Sequence, residues 1–221
     1  MKTLLSWSTG KDSAWSLHVL RQDPSVEVAG LFTTVNEAFD RVAMHAVRRQ
    51  LLEAQAAAAG LPLHVIDIPW PCSNEAYEQR LGAFVAAQKA AGVEAMAFGD
   101  LFLEDIRAYR VDKLAGSGIE PVFPIWGRDT AQLAREMIAG GLKARLTCVD
   151  TAKLPAAFAG RQFDAELLAD LPEGIDPCGE NGEFHTCVYA GPMFSRAIDV
   201  DLGEVQTRDG FVFADLLPAA A

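Results

Sequence analysis

Basic residues are scarce in this sequence. Nineteen lysines and arginines stand against 30 aspartates and glutamates, a formal net charge of −11 over 221 residues. A broad acidic surface repels phosphate backbones, which argues against nucleic acid as the main partner while leaving room for a local basic pocket around a nucleotide. Cysteine is sparse too. Cys72, Cys148, Cys178 and Cys187 make no disulfide framework in a chain of this length, so reduced thiols are expected. Cys178, His185 and Cys187 lie close together without a common zinc spacing. Charge or proline interrupts every apolar run well short of the ~18 residues that suggest a membrane span. The apolar run at the N-terminus is too short for a secretory signal, so the expected location is the cytoplasm. Internal repeats and low-complexity tracts are also missing.

What is present is the composition of a folded domain, 50% hydrophobic and 22% charged. Strand-like runs at 3–7, 26–35, 63–68 and 93–99 alternate with helical patterns at 11–22, 41–59, 74–91 and 102–116. Gly60 and Pro62 mark the stop of the second helix. A short strand near PVFPIW and a helix over 129–139 follow, and LKARLTCVD (142–150) reads as the last strand of the same layer. The alternation predicts an α/β fold, doubly wound, with a mostly parallel sheet and helices on both faces. Ligands of such sheets sit at the carboxyl ends of the strands. From about residue 151 the texture changes, with Pro155, Pro172, Pro177 and several glycines. The expected organisation is a nucleotide-binding domain over 1–150 and a smaller lobe over 151–221. The alanine-rich LLEAQAAAAG reads as a stabilising helix without functional information.

Chemistry concentrates in three places. The first strand runs into Ser8-Thr9-Gly10-Lys11-Asp12-Ser13 at a helix start, where hydroxyls, a glycine and successive N–H groups make an anion cradle. It is not a Walker loop, because the position five residues before Gly10 holds Leu5 and Asp12 follows Lys11. Asp12 would either hold Mg²⁺ between phosphates or serve as an acidic first-turn residue. The plainer alternative is an ordinary helix start capped by Ser8 or Thr9. Next, Gly99-Asp100 closes a strand, where a ligand-facing carboxylate is expected, and Glu104, Asp105, Arg107 and Arg110 follow on a helix. Glu104 and Arg107 fit a surface ion pair equally well. Last, DPCGENGEFHTCVYAGPMF gathers Glu180, Asn181, Glu183, His185 and Thr186 around two glycines. His18, His45 and His64 read as packing or surface residues, and Phe123 and Trp126 as core or pocket wall.

The hexapeptide resembles the SGGxDS PP-loop of the N-type ATP pyrophosphatases, an adenine nucleotide α-hydrolase fold, with Thr9 in place of the first glycine. STGKDS, GDLFLED, FPIWGRDT and GENGEFHT together, in this order and over nearly the whole chain, resemble the diphthine–ammonia ligase family. The resemblance implies ATP and Mg²⁺ as cofactors. Ser8, Thr9, Gly10, Lys11, Asp12 and Ser13 would hold the nucleotide with Gly99 and Asp100, and Asp12 and Asp100 would hold the metal. A carboxylate acceptor, on a protein or a small molecule, would be adenylylated with loss of pyrophosphate and then amidated by ammonia or another amine donor. Lys11, Asp12, Glu183 and His185 would carry the chemistry. Glu104, Arg107, Glu180, Asn181, Glu183, His185 and Thr186 would meet the substrate. His185 stands where some members carry another residue, which leaves the acceptor open. Self-association into a homo-oligomer is compatible with all of this. Two competing readings keep the same loop: a nucleotide-binding sensor or adaptor without turnover, and a tRNA-modifying relative, which the acidic balance disfavours.

Overall fold

The computed structural model describes residues 1–37, 41–42 and 47–219. In chain order the elements are β1 (Lys2–Ser6), α1 (Lys11–Leu20), β2 (Glu27–Asn36), β3 (Arg41–Val42), α2 (Arg49–Ala59), β4 (Leu63–Ile68), α3 (Asn74–Ala90), β5 (Ala95–Ala97), α4 (Glu104–Leu114), β6 (Glu120–Val122), α5 (Thr130–Ala139), β7 (Lys143–Asp150), α6 (Ala165–Asp170), β8 (Phe184–Ala190), β9 (Val200–Arg208) and β10 (Phe211–Pro218). Among the described residues no helix is long and apolar enough to cross a membrane.

Five strands form a parallel sheet in the order β4-β2-β1-β5-β6. Neighbouring side chains on each strand leave on opposite faces, and the core divides accordingly. Leu5, Leu31 and Ala97 join one buried cluster with residues of α1, α2 and α5. Their sequence neighbours Leu4, Phe32 and Met96 join a second cluster with Val85 of α3 and Leu114 of α4. Helices therefore cover both faces, as the alternation predicts. Local signals set the helix limits. Gly60 ends α2 in a left-handed conformation at φ 66°, and the Ser73 and Asp129 side chains cap α3 and α5. β1 lies between β2 and β5, so its carboxyl end opens at the switch point of the sheet.

Two expectations are corrected. The helix expected over 41–59 begins only at Arg49, and Arg41–Val42 instead pairs antiparallel with the end of β2. Residues 43–46, with His45, lie outside the described residues. LKARLTCVD is not the last strand of the parallel layer. As β7 it belongs to a second, antiparallel sheet of order β8-β7-β10-β9. An apolar run buried on both faces looks the same in either setting, because its direction is decided by partners far along the chain.

Candidate active site

After β1 the chain turns through Trp7–Gly10 into α1. Thr9 is buried and takes φ 71°, a left-handed backbone that β-branched residues rarely adopt. This is the place where the PP-loop pattern carries glycine. The threonine is held there through its carbonyl oxygen, which accepts from the Val188 amide at 3.0 Å and from Gln55 Nε2 at 3.0 Å. Gln55 Nε2 also donates to the Val188 carbonyl at 2.6 Å, and Gln55 Oε1 accepts from the Trp7 indole at 2.7 Å. One buried amide thus joins the end of β1, the loop and β8.

Gly10 precedes α1 and offers no side-chain cap, so neither Ser8 nor Thr9 acts as the ordinary cap considered above. Ser8 Oγ lies 3.2 Å from Ser13 Oγ, and the Ser13 hydroxyl donates to the Gly10 carbonyl at 3.0 Å. The uncapped helix start lines a cavity of about 190 Å³, walled by Ser8, Gly10, Lys11, Asp12 and Ser13 on one side and by Gly99, Asp100, Glu180, His185 and Thr186 on the other. Gly99 must be glycine here. A Cβ would lie 2.9 Å from the Asp12 carbonyl carbon and 3.0 Å from the Ser13 nitrogen.

Lys11 turns inward. Its ammonium is 2.8 Å from Asp12 Oδ2, donates to the Cys178 carbonyl, and lies 5.8 and 5.6 Å from the ring centres of Phe163 and Phe184. Its amide donates to Thr186 Oγ1 at 3.1 Å, so Thr186 docks the loop onto β8. Burial works against the Lys11 charge, and Asp12 together with Cys178 and Glu180 outweighs it, holding the ammonium above its ordinary range. Burial also raises Asp12, with Lys11 opposing. Burial raises Asp100 in the same way, opposed by Arg110, whose Nε lies 3.5 Å from Asp100 Oδ2.

The segment 176–183 folds on itself. Asp176 Oδ2 accepts from the Glu180 amide at 2.8 Å, and Gly179, at φ 70°, brings its Cα against the Phe184 carbonyl. Glu180 enters the cavity, with Oε1 accepting from the Leu101 amide at 2.8 Å. Burial pushes its carboxyl up to about 7, and the Asp12 charge adds to the rise. Burial pushes His185 down to about 4, helped by Lys11, so its imidazole is neutral at pH 7.

Glu183 and Asn181 stay behind the wall. Glu183 Oε1 accepts from the Asp176 amide at 3.2 Å and from Asn181 Nδ2 at 3.1 Å, bracing the turn. Glu104 and Arg107 do not line the cavity either. Among the described residues no ion pair joins them, and Arg107 stacks over Phe123 and Trp126, 5.3 and 4.7 Å from the ring centres. His18 packs on Trp15 and His64 on Phe84.

A second cavity, of about 380 Å³, adjoins the first. Its walls are largely apolar, with Phe32, Met96, Tyr77 and Tyr109, and it shares Ser6, Ser8, Phe98 and Arg110 with the polar cavity. Among the described residues no three histidines, cysteines, aspartates or glutamates stand close enough for a protein-only metal site. Asp12 Oδ1 and Asp100 Oδ2 are nevertheless buried without hydrogen-bond partners, and both residues line the polar cavity. That donor set fits Mg²⁺, which takes one or two carboxylates and completes its shell with phosphates and water.

The sequence reading missed Gln55. It sits inside the alanine-rich stretch set aside as uninformative, four residues after Leu51 and three after Leu52, on the buried stripe of α2. A lone polar residue on such a stripe is the signal that would have found it. Nothing local marked the Cys178 carbonyl as the partner of Lys11.

A parallel α/β sheet whose central strand delivers a serine-rich, uncapped turn at its switch point defines a PP-loop protein of Rossmann-like architecture. The chain belongs to the diphthamide synthase family: the diphthamide synthase N-terminal domain matches residues 1–119 and the C-terminal domain residues 129–214. It is similar to the diphthine–ammonia ligase of Bos taurus (26% identity) and of Homo sapiens (25%), over 94% of this chain and 85% of each relative. The diphthine–ammonia ligase of Danio rerio is 28% identical over 94% of this chain and 89% of its own length.

Proposed function

We propose that this protein is an ATP-dependent, AMP-forming amide ligase that joins ammonia to a carboxylate. The observation that carries the reading is the pair of adjoining cavities, an apolar one suited to a base and a polar one built on an uncapped helix start, meeting at Ser8 and Arg110. A nucleoside triphosphate with its base in the first would lay its tail along Ser8–Ser13. In the reaction a carboxylate oxygen attacks the innermost phosphorus and pyrophosphate leaves. The ammonia nitrogen then attacks the acyl carbon, the C–O bond to AMP breaks, and the nitrogen sheds its proton.

The roles of the residues follow from their surroundings. Loop amides other than that of Lys11, which Thr186 takes, would cradle the departing pyrophosphate with the Ser8 and Ser13 hydroxyls. Lys11 braces the loop against the second lobe and adds positive charge beneath it. Asp12 and Asp100 would hold Mg²⁺, which neutralises phosphate charge when bound. Glu180, with its proton affinity near neutrality, is suited to receive the proton shed by nitrogen. His185, neutral and half-buried, orients a substrate rather than carrying charge. Glu183 and Asn181 shape the turn that presents Glu180. An acceptor contacting Glu104 and Arg107 would have to reach beyond the cavity, which favours an acceptor carried on a larger molecule. Four free cysteines suit the cytoplasm.

The test is incubation with ATP, Mg²⁺, ¹⁵N-ammonium and a panel of carboxylates, with nucleotides resolved by chromatography. AMP and pyrophosphate in equal amounts with ¹⁵N in the product support the ligase. ADP as the nucleotide product overturns it, and tight ATP binding without turnover for any acceptor favours the sensor.

A further inference from the structure

Among the described residues three lysines and arginines line the two cavities: Lys11, Arg110 and Lys113. Two are engaged. Lys11 is held by Asp12 and the Cys178 carbonyl, and Lys113 Nζ is 2.7 Å from Glu78 with the Tyr109 ring 5.3 Å away. Arg110 is held more loosely than either, facing Asp100 and the Tyr77 side chain. It lines both cavities, at the boundary where they meet. Its Nε is buried without a hydrogen-bond partner, and its nearest carboxylate oxygen, on Asp100, is 3.5 Å away, too far for a good hydrogen bond. The guanidinium is held 5.0 Å from the centre of the Phe98 ring, and Phe98 also lines both cavities. It is a positioned cation whose Nε has no hydrogen-bond partner.

We propose that Arg110 binds the phosphate nearest the nucleoside, and so grips the phosphorus at which the acceptor attacks. The assignment rests on the nucleotide reading above. A base in the apolar cavity and a tail on Ser8–Ser13 force the intervening phosphate across the shared boundary, and the cation there is Arg110. A guanidinium fork matches two oxygens of one phosphate. Its loose contact with Asp100 is released as the phosphate is taken up, which leaves Asp100 Oδ2 for a cation. As the acceptor oxygen adds and pyrophosphate departs, charge on the non-bridging oxygens is stabilised where the fork already stands.

Calorimetric titration of adenosine, AMP and ATP at one salt concentration separates the contributions, using wild-type protein, Arg110→Gln and Arg110→Lys. Arg110→Gln is expected to bind adenosine within twofold of wild type and to lose about tenfold or more in AMP and ATP affinity, while Arg110→Lys recovers part of the loss. Unaltered adenosine binding also shows that the variant is folded. If wild type prefers AMP to adenosine and Arg110→Gln keeps that preference, the assignment is overturned and the nucleotide reading stands. Equal loss of adenosine and AMP affinity overturns it too, because Arg110 then supports the pocket rather than the phosphate. Wild-type protein that binds ATP no better than adenosine overturns both readings together.

Discussion

Gln55 Nε2 donates to the carbonyl oxygen of Thr9 across 3.0 Å, so a glutamine on α2 holds the left-handed residue of the loop after β1. The same amide reaches Val188 and Trp7, and all of these groups are buried. Gln55→Leu keeps the volume but leaves a carbonyl pair and an indole N–H with fewer partners. It is expected to cost about 2–3 kcal/mol in urea unfolding and to raise the KM for ATP. Unchanged stability would show that the bracket does not hold the loop.

Thr9 gives a test that runs against the usual order of substitutions. At φ 71° a residue without Cβ is favoured, so Thr9→Gly should be more stable than Thr9→Ala by about 1 kcal/mol. At most buried positions the alanine variant would win. Denaturant midpoints of the two proteins, measured side by side, decide the matter.

Gly99→Ala drives a methyl group into backbone rather than into a flexible side chain, with the Asp12 carbonyl carbon 2.9 Å away. The loop and the end of β5 must part, at a cost of about 2 kcal/mol. Nucleotide turnover should fall by more than the stability loss explains, since the displaced atoms belong to Asp12 and Ser13. Full turnover in this variant would remove Asp12 from the proposed chemistry.

Glu180 makes a prediction in pH. Burial raises its carboxyl from the ordinary 4.5 to about 7, so between these values the folded protein binds more protons than the unfolded chain. The group therefore lowers stability as pH rises through that window and contributes no penalty below it. Glu180→Gln removes the term. Relative to wild type the variant should gain stability on going from pH 5 to pH 7.5, read from unfolding midpoints at both values. A parallel response in the two proteins would show that Glu180 titrates as an exposed carboxylate does.

The parallel sheet was legible in sequence because each strand and helix carries its own periodicity and its own stop, as Gly60 does for α2. The loop was legible because its glycine and hydroxyls are local requirements. β7 was misplaced because its pairing with β8 and β10 depends on residues up to 65 positions away, and a doubly buried run carries no mark of direction. Gln55 and the Cys178 carbonyl were invisible for a related reason. One hid among alanines, and the other acts through its backbone, which every residue possesses. Glu183 stands out in a dense polar segment; its Oε1 shapes the turn that presents Glu180, while its Oε2 is buried without a hydrogen-bond partner.

The amide of Lys11 is met by a hydroxyl 175 residues further along the chain. During translation, the bend after β1 is therefore fastened only once β8 has been made. A nascent chain halted before β8 would expose the serine-rich bend without the strand that clamps it.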